Sequence, residues 1–453
     1  MITISQKEDC CGCGGCAQRC PRQCITMKED KEGFLYPVVE ESLCIDCGLC
    51  EKICHELNEY EKRMPTDIFA AINRDDCIRR QSSSGGVFHL LAERTIRNGG
   101  VVFGARFDDN WQVVIDYAET HEGITPFLGS KYVQARTEKS YIHAESFLKN
   151  GREVLFSGTP CQIAGLHHFL RKDYDNLVTV DFVCHGVPSL KVWEKYLFEV
   201  TENVKRANNI RFRSKRDGWK RFYFELTYEK DSQTVELSSF HGTNHFMRAF
   251  LSDMILRPSC HNCKAKEGRS RSDITIADFW GVNAELPEMD DDKGTSLLII
   301  NTEKGERLIK WDRLTHKRTN IETVRKYNGG FSSVCTPHRN REKFFSKLDS
   351  CDSVTCLIDD MLRLPLASRI RIRLGALKMA ITDILKGKKR IGGGKINVSV
   401  NTNEELLLLS LPVDRLHISD ISFRCKEKGW KKYNIVIKMK VQKNENSNTY
   451  TAL

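Results

Sequence analysis

Cysteines are the residues of this chain whose type and spacing point most directly to chemistry. The 453-residue sequence holds 19 of them, and ten lie between Cys10 and Cys54. These ten include two runs of one pattern, C-x2-C-x2-C-x3-C, which begin at Cys10 and at Cys44. Thiolates are soft ligands for transition metals, so two matched runs in a long chain predict metal centres rather than disulfides.

Each run has the spacing of bacterial ferredoxins that hold two 4Fe–4S clusters, in which the fourth cysteine of a run ligates the other cluster. We expect the ligands of one cluster to be Cys10, Cys13, Cys16 and Cys54. We expect the ligands of the other to be Cys44, Cys47, Cys50 and Cys20. Zinc is the alternative, but a zinc ion takes four ligands and has no need of eight. Cys11 and Cys24 lie outside the pattern, and we interpret them as bystanders.

Four later cysteines predict a third metal site. Cys161 follows an apolar run of strand type, Cys184 ends the next such run, and Cys260 and Cys263 form a Cys-x2-Cys pair. Cysteines beside glycine or proline at strand ends are placed to meet in space. Spacing alone leaves a third 4Fe–4S cluster and a zinc site both open, and a neighbouring histidine could replace a thiolate in the latter.

Glycine-rich turns are the next candidates for ligand binding. Residues 82–86 (SSSGG) precede a helical pattern, and their amides and hydroxyls could hold a phosphate or act only as a helix cap. Residues 129–132 (GSKY) form a turn with one cation and one aromatic ring, and residues 273–281 (DITIADFWG) read as a strand ending in an aromatic turn. No Gly-x-Gly-x-x-Gly follows a strand, so a Rossmann dinucleotide site is not indicated.

The elements that must position these residues follow an α/β pattern. Short apolar runs of strand type occur at residues 68–72, 100–105, 154–156, 177–183 and 296–300. Helical patterns lie between several of them, as at residues 86–97. Strands alternating with helices predict a mixed α/β body after the cysteine-rich start.

Charge is distributed unevenly along the chain. The formal net charge is +10, but residues 361–453 carry 19 Lys and Arg against 7 Asp and Glu, so the rest of the chain has a net charge of −2. This argues against a nucleic-acid-binding protein. The start has no apolar signal segment and no apolar run approaches the length of a membrane span, so we expect a cytoplasmic protein whose thiols stay reduced.

Taken together, the motifs resemble the beta subunit family of coenzyme F420 hydrogenases and dehydrogenases. The resemblance rests on residues 83–86 (SSGG), 129–132 (GSKY), 157–165 (SGTPCQIAG), 181–188 (DFVCHGVP), the Cys260-x2-Cys263 pair and residues 271–281 (RSDITIADFWG). These segments occur in this order over residues 68–340.

The resemblance implies bound FAD and a body 4Fe–4S cluster held by Cys161, Cys184, Cys260 and Cys263. It implies a flavin pocket built from Ser83, Ser84, Gly85, Gly86, Gly129, Ser130, Lys131, Tyr132, Thr159, Pro160, Asp278, Phe279, Trp280 and Gly281. The expected function is an iron–sulfur flavoprotein oxidoreductase that passes electrons between a reduced deazaflavin, or a similar hydride donor, and a redox partner protein. The alternative is a non-catalytic electron-transfer or interaction subunit that serves a polysaccharide-related reductive step. Because hydride transfer needs no general acid or base, the sequence indicates no catalytic residue.

The predicted fold class is α+β or α/β, with four regions. We expect a ferredoxin-like domain at residues 1–60 and the N-terminal beta-subunit region at 68–145. The C-terminal region with the flavin pocket and third cluster should follow at 146–345. Residues 346–453 should form a basic helix, near 362–385, and a small β appendage. Packing of this helix on the body is favoured over contact with a membrane surface.

Overall fold

The computed structural model describes residues 1–204 and 207–363, together with the backbone of four strands between residues 396 and 441. Two compact units are present, Met1–Arg363 and Leu364–Leu453. The basic helix predicted near residues 362–385 lies almost wholly outside the described residues.

Helices and strands are distributed along the whole described part of the chain. The helices are α1 (Gly15–Arg19), α2 (Leu49–Lys52), α3 (Asp76–Gln81), α4 (Val87–Arg97), α5 (Ser140–Lys149), α6 (Pro160–Leu170), α7 (Leu190–Val200), α8 (His245–Leu251), α9 (Val282–Glu285), α10 (Glu303–Leu308), α11 (Ile321–Tyr327), α12 (Arg341–Lys347) and α13 (Val354–Leu362). The strands are β1 (Ile25–Glu29), β2 (Leu35–Val39), β3 (Asp67–Asn73), β4 (Val101–Phe107), β5 (Val113–Ala118), β6 (Val154–Ser157), β7 (Leu177–Phe182), β8 (Ala207–Ser214), β9 (Tyr223–Lys230), β10 (Gln233–Phe240), β11 (Ile274–Asp278), β12 (Ser296–Ile300), β13 (Leu314–Arg318), β14 (Ile396–Thr402), β15 (Glu405–Leu411), β16 (Ile418–Lys428) and β17 (Lys432–Val441).

The N-terminal segment is a small twofold repeat. Each cysteine run forms a loop that leads into a single-turn helix, α1 or α2. Gly14 (φ 70°) and Gly48 (φ 66°) precede these helices in the left-handed conformation, which glycine adopts at little cost. The antiparallel ribbon of β1 and β2 packs beside them, and a small core forms around Ile2, Cys24 and Ile25.

An eight-stranded mixed sheet, in the order β13-β3-β12-β11-β7-β6-β4-β5, forms the body of the first unit. Strands β4, β6, β7 and β11 are parallel neighbours, and the outer strands run antiparallel. Residues 296–300 are buried throughout because the centre of the sheet is covered on both faces. The apolar runs predicted as strands coincide with β3, β4, β6, β7 and β12, and the helical pattern at 86–97 is α4. The mixed α/β class is therefore confirmed.

A separate antiparallel sheet, in the order β10-β9-β8, interrupts the α/β pattern. Its inner face joins α7 and α8 in an aromatic cluster around Trp193, Phe212, Phe224 and Phe246. This sheet was not predicted from the sequence. Its loop between β8 and β9 extends to the large sheet, where it contributes to the site described below.

The last described helix of the first unit belongs to its core. Val354, Leu357, Ile358 and Met361 of α13 are buried in the same cluster as Trp193. In the second unit β14 pairs with β15, and β16 pairs with β17. Strands at 396–402 and 432–441 agree with the alternation in the sequence. Within the described residues, no helix combines the length and apolar character needed to cross a bilayer.

Candidate functional site

The two N-terminal cysteine sets line two separate cavities. One cavity is lined by Cys10, Cys13, Cys16 and Cys54, and the other by Cys20, Cys44, Cys47 and Cys50. In each cavity the fourth cysteine comes from the opposite run, as the crossed ferredoxin pattern predicts. We call these groups the first set and the second set.

Donor chemistry in the cavity of the first set fits an iron–sulfur cluster. The backbone N–H of Gly12 donates to the Cys10 sulfur and that of Gly15 donates to the Cys13 sulfur, which is the kind of bond that cluster ligands receive. Burial raises the pKa of Cys54 to about 12, so its thiolate needs a bound cation to form at neutral pH. Cys47 of the second set is exposed, so this cavity lies at the surface.

Four body cysteines meet at one edge of the large sheet, and we call them the body set. Strands β6 and β7 are parallel neighbours whose carboxyl ends lead to Cys161 and Cys184. Cys260 lies in the short 3-10 helix Pro258–Asn262, and Cys263 ends it. Burial raises the pKa of Cys260, and the neighbouring Cys184, Cys161 and Cys263 raise it further.

Local structure around the body set explains how each sulfur is held. Thr159 caps α6 through a capping box with Gln162, and its hydroxyl lies 3.2 Å from the Cys161 sulfur. The Val187 N–H donates to the Cys260 sulfur at 3.3 Å. The Lys266 Nζ donates to the Cys184 carbonyl at 2.8 Å. A cation therefore lies beside the body set, whose four cysteines are negatively charged in their thiolate form.

The glycine-rich turns meet beside the large sheet. The Ser83 hydroxyl accepts from the Ser130 N–H at 2.7 Å, which joins the 82–86 turn to the 129–132 turn. Gly85 lies so close to the sheet that a Cβ would be 2.3 Å from the Ala71 carbonyl. Gly86 has φ 82° and begins α4. The Lys131 Nζ donates to the Pro126 and Leu128 carbonyls, and burial lowers its pKa to about 7.

Asp278, at the carboxyl end of β11, accepts hydrogen bonds from two side chains of the segment that runs from β8 to β9. The Arg213 Nη1 donates to Asp278 at 2.5 Å and to the Tyr132 hydroxyl at 3.1 Å. The Trp219 Nε1 donates to the other Asp278 oxygen at 2.9 Å. The Trp219 and Trp280 rings stack with centroids 5.0 Å apart and planes inclined by 3°.

Some predicted pocket residues serve as support for the others. Phe279 is completely buried in the core beside β12, so it anchors the turn and does not line the pocket. Gly281 (φ 92°) lies under the Tyr327 ring, where a Cβ would be 2.3 Å from a ring carbon. Gly129, also in the left-handed conformation, has open space around its Cα. Pro160 is the first residue of α6, next to Cys161 of the body set.

Arg213, Lys215 and Trp219 were not foreseen from the sequence. The Arg213 side chain is 3% exposed, and its Nε and Nη2 have no hydrogen-bond partner among the described residues. Lys215 donates to the carbonyls of Arg79, Ser84 and Lys293 at 2.6–2.8 Å. Residues 213–219 (RSKRDGW) combine cations with an aromatic ring, as residues 129–132 do. The same sequence pattern could therefore have indicated them.

Comparisons with known proteins identify part of the chain. Residues 151–324 match the family described as the C terminus of the beta subunit in coenzyme F420 hydrogenase/dehydrogenase. A chain of the F420-reducing NiFe hydrogenase complex from Methanosarcina barkeri is similar in structure, with a TM-score of 0.40 and 16% identity. That match covers 65% of this chain and 95% of the other. No curated protein matches significantly. Residues 151–324 therefore match the beta subunit family of coenzyme F420 hydrogenases and dehydrogenases that the motifs of the chain resemble.

Proposed function

We propose that this protein is an iron–sulfur flavoprotein oxidoreductase, an electron-transfer subunit of the F420 hydrogenase/dehydrogenase beta type. Three cysteine sets would hold three 4Fe–4S clusters, and the pocket around Asp278 would hold FAD. The observation that carries the proposal is the presence, in one compact unit, of two cavities lined by cysteines, four further cysteines at the sheet edge, and a cluster of cations and stacked indoles around Asp278.

The pocket suits a flat ligand that carries negative charge. The unpaired donors of Arg213 offer hydrogen bonds that no described residue accepts. The Trp219 and Trp280 pair presents an aromatic surface, since Trp280 is partly exposed. FAD would supply the chemistry that links a two-electron hydride donor to one-electron centres. The chain's own residues orient the ligand and exclude water from it.

The electron donor that we propose is a reduced deazaflavin or a similar hydride carrier. A redox partner protein would exchange electrons at the second set, because exposed Cys47 places that cavity at the protein surface. The four regions predicted from the sequence, 1–60, 68–145, 146–345 and 346–453, are the functional divisions that we propose for the chain.

Metal and flavin content test the proposal directly. Protein purified without oxygen should contain about twelve irons, from three four-iron clusters, and one FAD. Replacement of Cys184 by Ser should remove about four irons. The matched control is Cys77→Ser, because Cys77 is exposed on α3 and belongs to no set. A content of about eight irons and one zinc per protein would indicate that the body set binds zinc. Eight irons without flavin would favour the non-catalytic subunit.

A second experiment tests the donor. Reduced deazaflavin added to the flavin-loaded protein should bleach the cluster absorbance in the visible range. Absence of bleaching in protein that contains FAD and twelve irons would exclude this donor while leaving the oxidoreductase class intact. Reduced nicotinamide, added in parallel, would then test another hydride carrier.

A further inference from the structure

Arg257 is a cation buried between the N-terminal segment and the body. Its side chain is completely buried, although a guanidinium stays charged at every pH at which proteins are folded. The Nε donates to the Cys10 carbonyl at 2.8 Å, and the Nη2 donates to the Leu35 carbonyl at 2.8 Å. The Nη1 donates to the side-chain oxygen of Gln134 at 3.1 Å. Each nitrogen of the guanidinium therefore has a hydrogen-bond acceptor.

None of these three acceptors carries a charge. The guanidinium carbon also lies 4.5 Å from the Tyr36 ring centroid and 5.4 Å from that of Phe34, and such contacts offset part of the cost of burial. Within the part of the chain that the structure describes, no carboxylate oxygen lies within 4.0 Å of the Arg257 nitrogens. Buried charges in proteins are normally paired with an opposite charge, because their desolvation is costly. The described side chains thus leave this cation without a carboxylate counter-ion.

The backbone of Arg257 is part of the structure that holds the body set. Arg257 directly precedes the 3-10 helix Pro258–Asn262, which carries Cys260. Its carbonyl accepts from the Cys260 N–H at 3.0 Å, and its own N–H donates to the Val187 carbonyl at 2.9 Å. The side chain extends from there to the loop of the first set. One residue therefore links a ligand of the body set to a ligand of the first set through hydrogen bonds.

The cysteine loop of the first set leaves room for this guanidinium. Gly12 lies between the ligands Cys10 and Cys13 and has φ 74°. A Cβ at Gly12 would be 2.7 Å from the Arg257 Nη1 and 2.9 Å from its Cζ. Because three hydrogen bonds hold the guanidinium, it cannot move aside without losing them. The positive charge therefore lies directly against the loop that presents the first-set cysteines.

We propose that Arg257 is a positioning residue of the first set, which holds the Cys10 loop against the body and supplies the positive charge that balances a bound iron–sulfur cluster. The inference rests on the proposed function, because it needs a cluster in the first set. A 4Fe–4S cluster with four thiolates carries about −2 when oxidised and gains a further negative charge on reduction. A nearby cation stabilises the reduced state more than the oxidised state, so it raises the reduction potential.

The test is the reduction potential of each cluster in holoprotein purified without oxygen, followed by electron paramagnetic resonance. The centres would be assigned from variants that each lack one ligand. Arg257→Gln keeps a side-chain donor but removes the charge, so it should lower the potential of the first set and change that of the second set less. Arg257→Lys keeps the charge and should leave the potential of the first set close to that of the wild type.

The chain offers two matched controls that do not change the net charge. The buried Thr137 hydroxyl donates to the Cys13 carbonyl at 2.8 Å, so Thr137→Val removes a neutral hydrogen bond to the same loop. Arg341 pairs with Glu32 of the N-terminal segment at 2.6 Å, so the double variant Arg341→Gln, Glu32→Gln removes an ion pair between the body and that segment. Both controls should lower the potential of the first set less than Arg257→Gln does.

Several outcomes would overturn the inference. One is a wild-type potential of the first set in Arg257→Gln, and another is an equal decrease in Arg257→Gln and either control. A potential in Arg257→Lys as low as that in Arg257→Gln would also refute the role of the charge. If Arg257→Gln loses the iron of the first set, Arg257→Lys decides, because loss of the same iron there would show that geometry and not charge is required. A wild-type protein without iron in the first set would refute the proposed function itself, which is a separate result.

Discussion

Arg213 is a buried guanidinium whose hydrogen-bonding capacity is only partly used. Its Nη1 pairs with Asp278 and Tyr132, while Nε and Nη2 have no partner among the described residues. A buried donor without a partner costs about 1–3 kcal/mol or more for a charged group. Part of this cost is offset by cation–π contacts, because the guanidinium lies 4.2 Å from the Phe222 ring centroid and 5.3 Å from that of Trp280.

Arg213→Gln should remove flavin and destabilise the protein. Without the guanidinium, Asp278 is left buried with one remaining side-chain donor, and breaking a buried ion pair on one side costs about 3–5 kcal/mol. Flavin stoichiometry by absorbance and thermal unfolding would measure the two effects. Arg216→Gln is the control, because Arg216 is exposed three residues away. Full flavin content in Arg213→Gln would contradict the assignment of the pocket.

Lys215 makes the stability of this pocket depend on pH. Burial lowers its pKa from 10.5 to about 7, because the charged form loses solvation. Between these values the unfolded chain holds the proton more tightly than the folded protein does. The free energy of unfolding should therefore rise as the pH increases from about 7 to about 10.5.

Denaturant unfolding of Lys215→Met across this pH range would test the prediction, with the exposed Lys220→Met as control. Subtracting the variant's pH profile from that of the wild type removes the contribution of the titrating cysteines. The difference should increase with pH in favour of the wild type. A flat difference would show that Lys215 titrates at its ordinary pKa.

At the scale of elements, the parallel neighbours β6, β7 and β11 bring the two kinds of site to one sheet edge. Their carboxyl ends lead to Cys161, Cys184 and Asp278, which are far apart in sequence. Crevices at the carboxyl ends of parallel strands are the usual binding positions in such sheets. Helix α6 then carries the contact from this edge to the first set, through Gly165.

Gly165→Ala should weaken the contact between α6 and the first set, although alanine has the higher helix propensity. Alanine favours an α-helix interior over glycine by about 1 kcal/mol, so any loss must come from packing against Cys13. We expect fewer irons in the first set and a lower unfolding temperature. Gly329→Ala is the control, because a Cβ there meets nothing within 4 Å. Equal iron content in both variants would mean that α6 can move away without loss of the centre.

At the scale of the molecule, all proposed ligands lie within Met1–Arg363. The basic excess lies outside it, since residues 364–453 carry a net charge of +11 and residues 1–363 a net charge of −1. An oxidised 4Fe–4S cluster with four thiolates adds about −2, so the metallated first unit should be acidic.

A chain that ends at Arg363 should retain its iron and flavin. All of its candidate sites and its core elements through α13 are preserved. A chain that ends at residue 352 is the matched comparison, because it lacks the four buried apolar side chains of α13. Each such side chain contributes about 1.5–3 kcal/mol, so the shorter chain should unfold at much lower temperature. Equal iron, flavin and unfolding temperature in the two would show that α13 is dispensable.

The sequence by itself predicted the cysteine sets, the resemblance to the beta subunit family and six of the eight strands of the large sheet, all but β5 and β13. Ligand spacing is local, since a loop of two or three residues limits which sulfurs can reach one cluster, and apolar runs report directly on buried strands. Only the tertiary structure decided the contacts of Arg213 and Gly165. The partner of Arg213 is Asp278, 65 positions away, and Gly165 packs against Cys13, so both contacts depend on sheet order and docking. Packing between distant segments leaves no periodic signal in the chain, so these contacts become visible only when the elements are assembled.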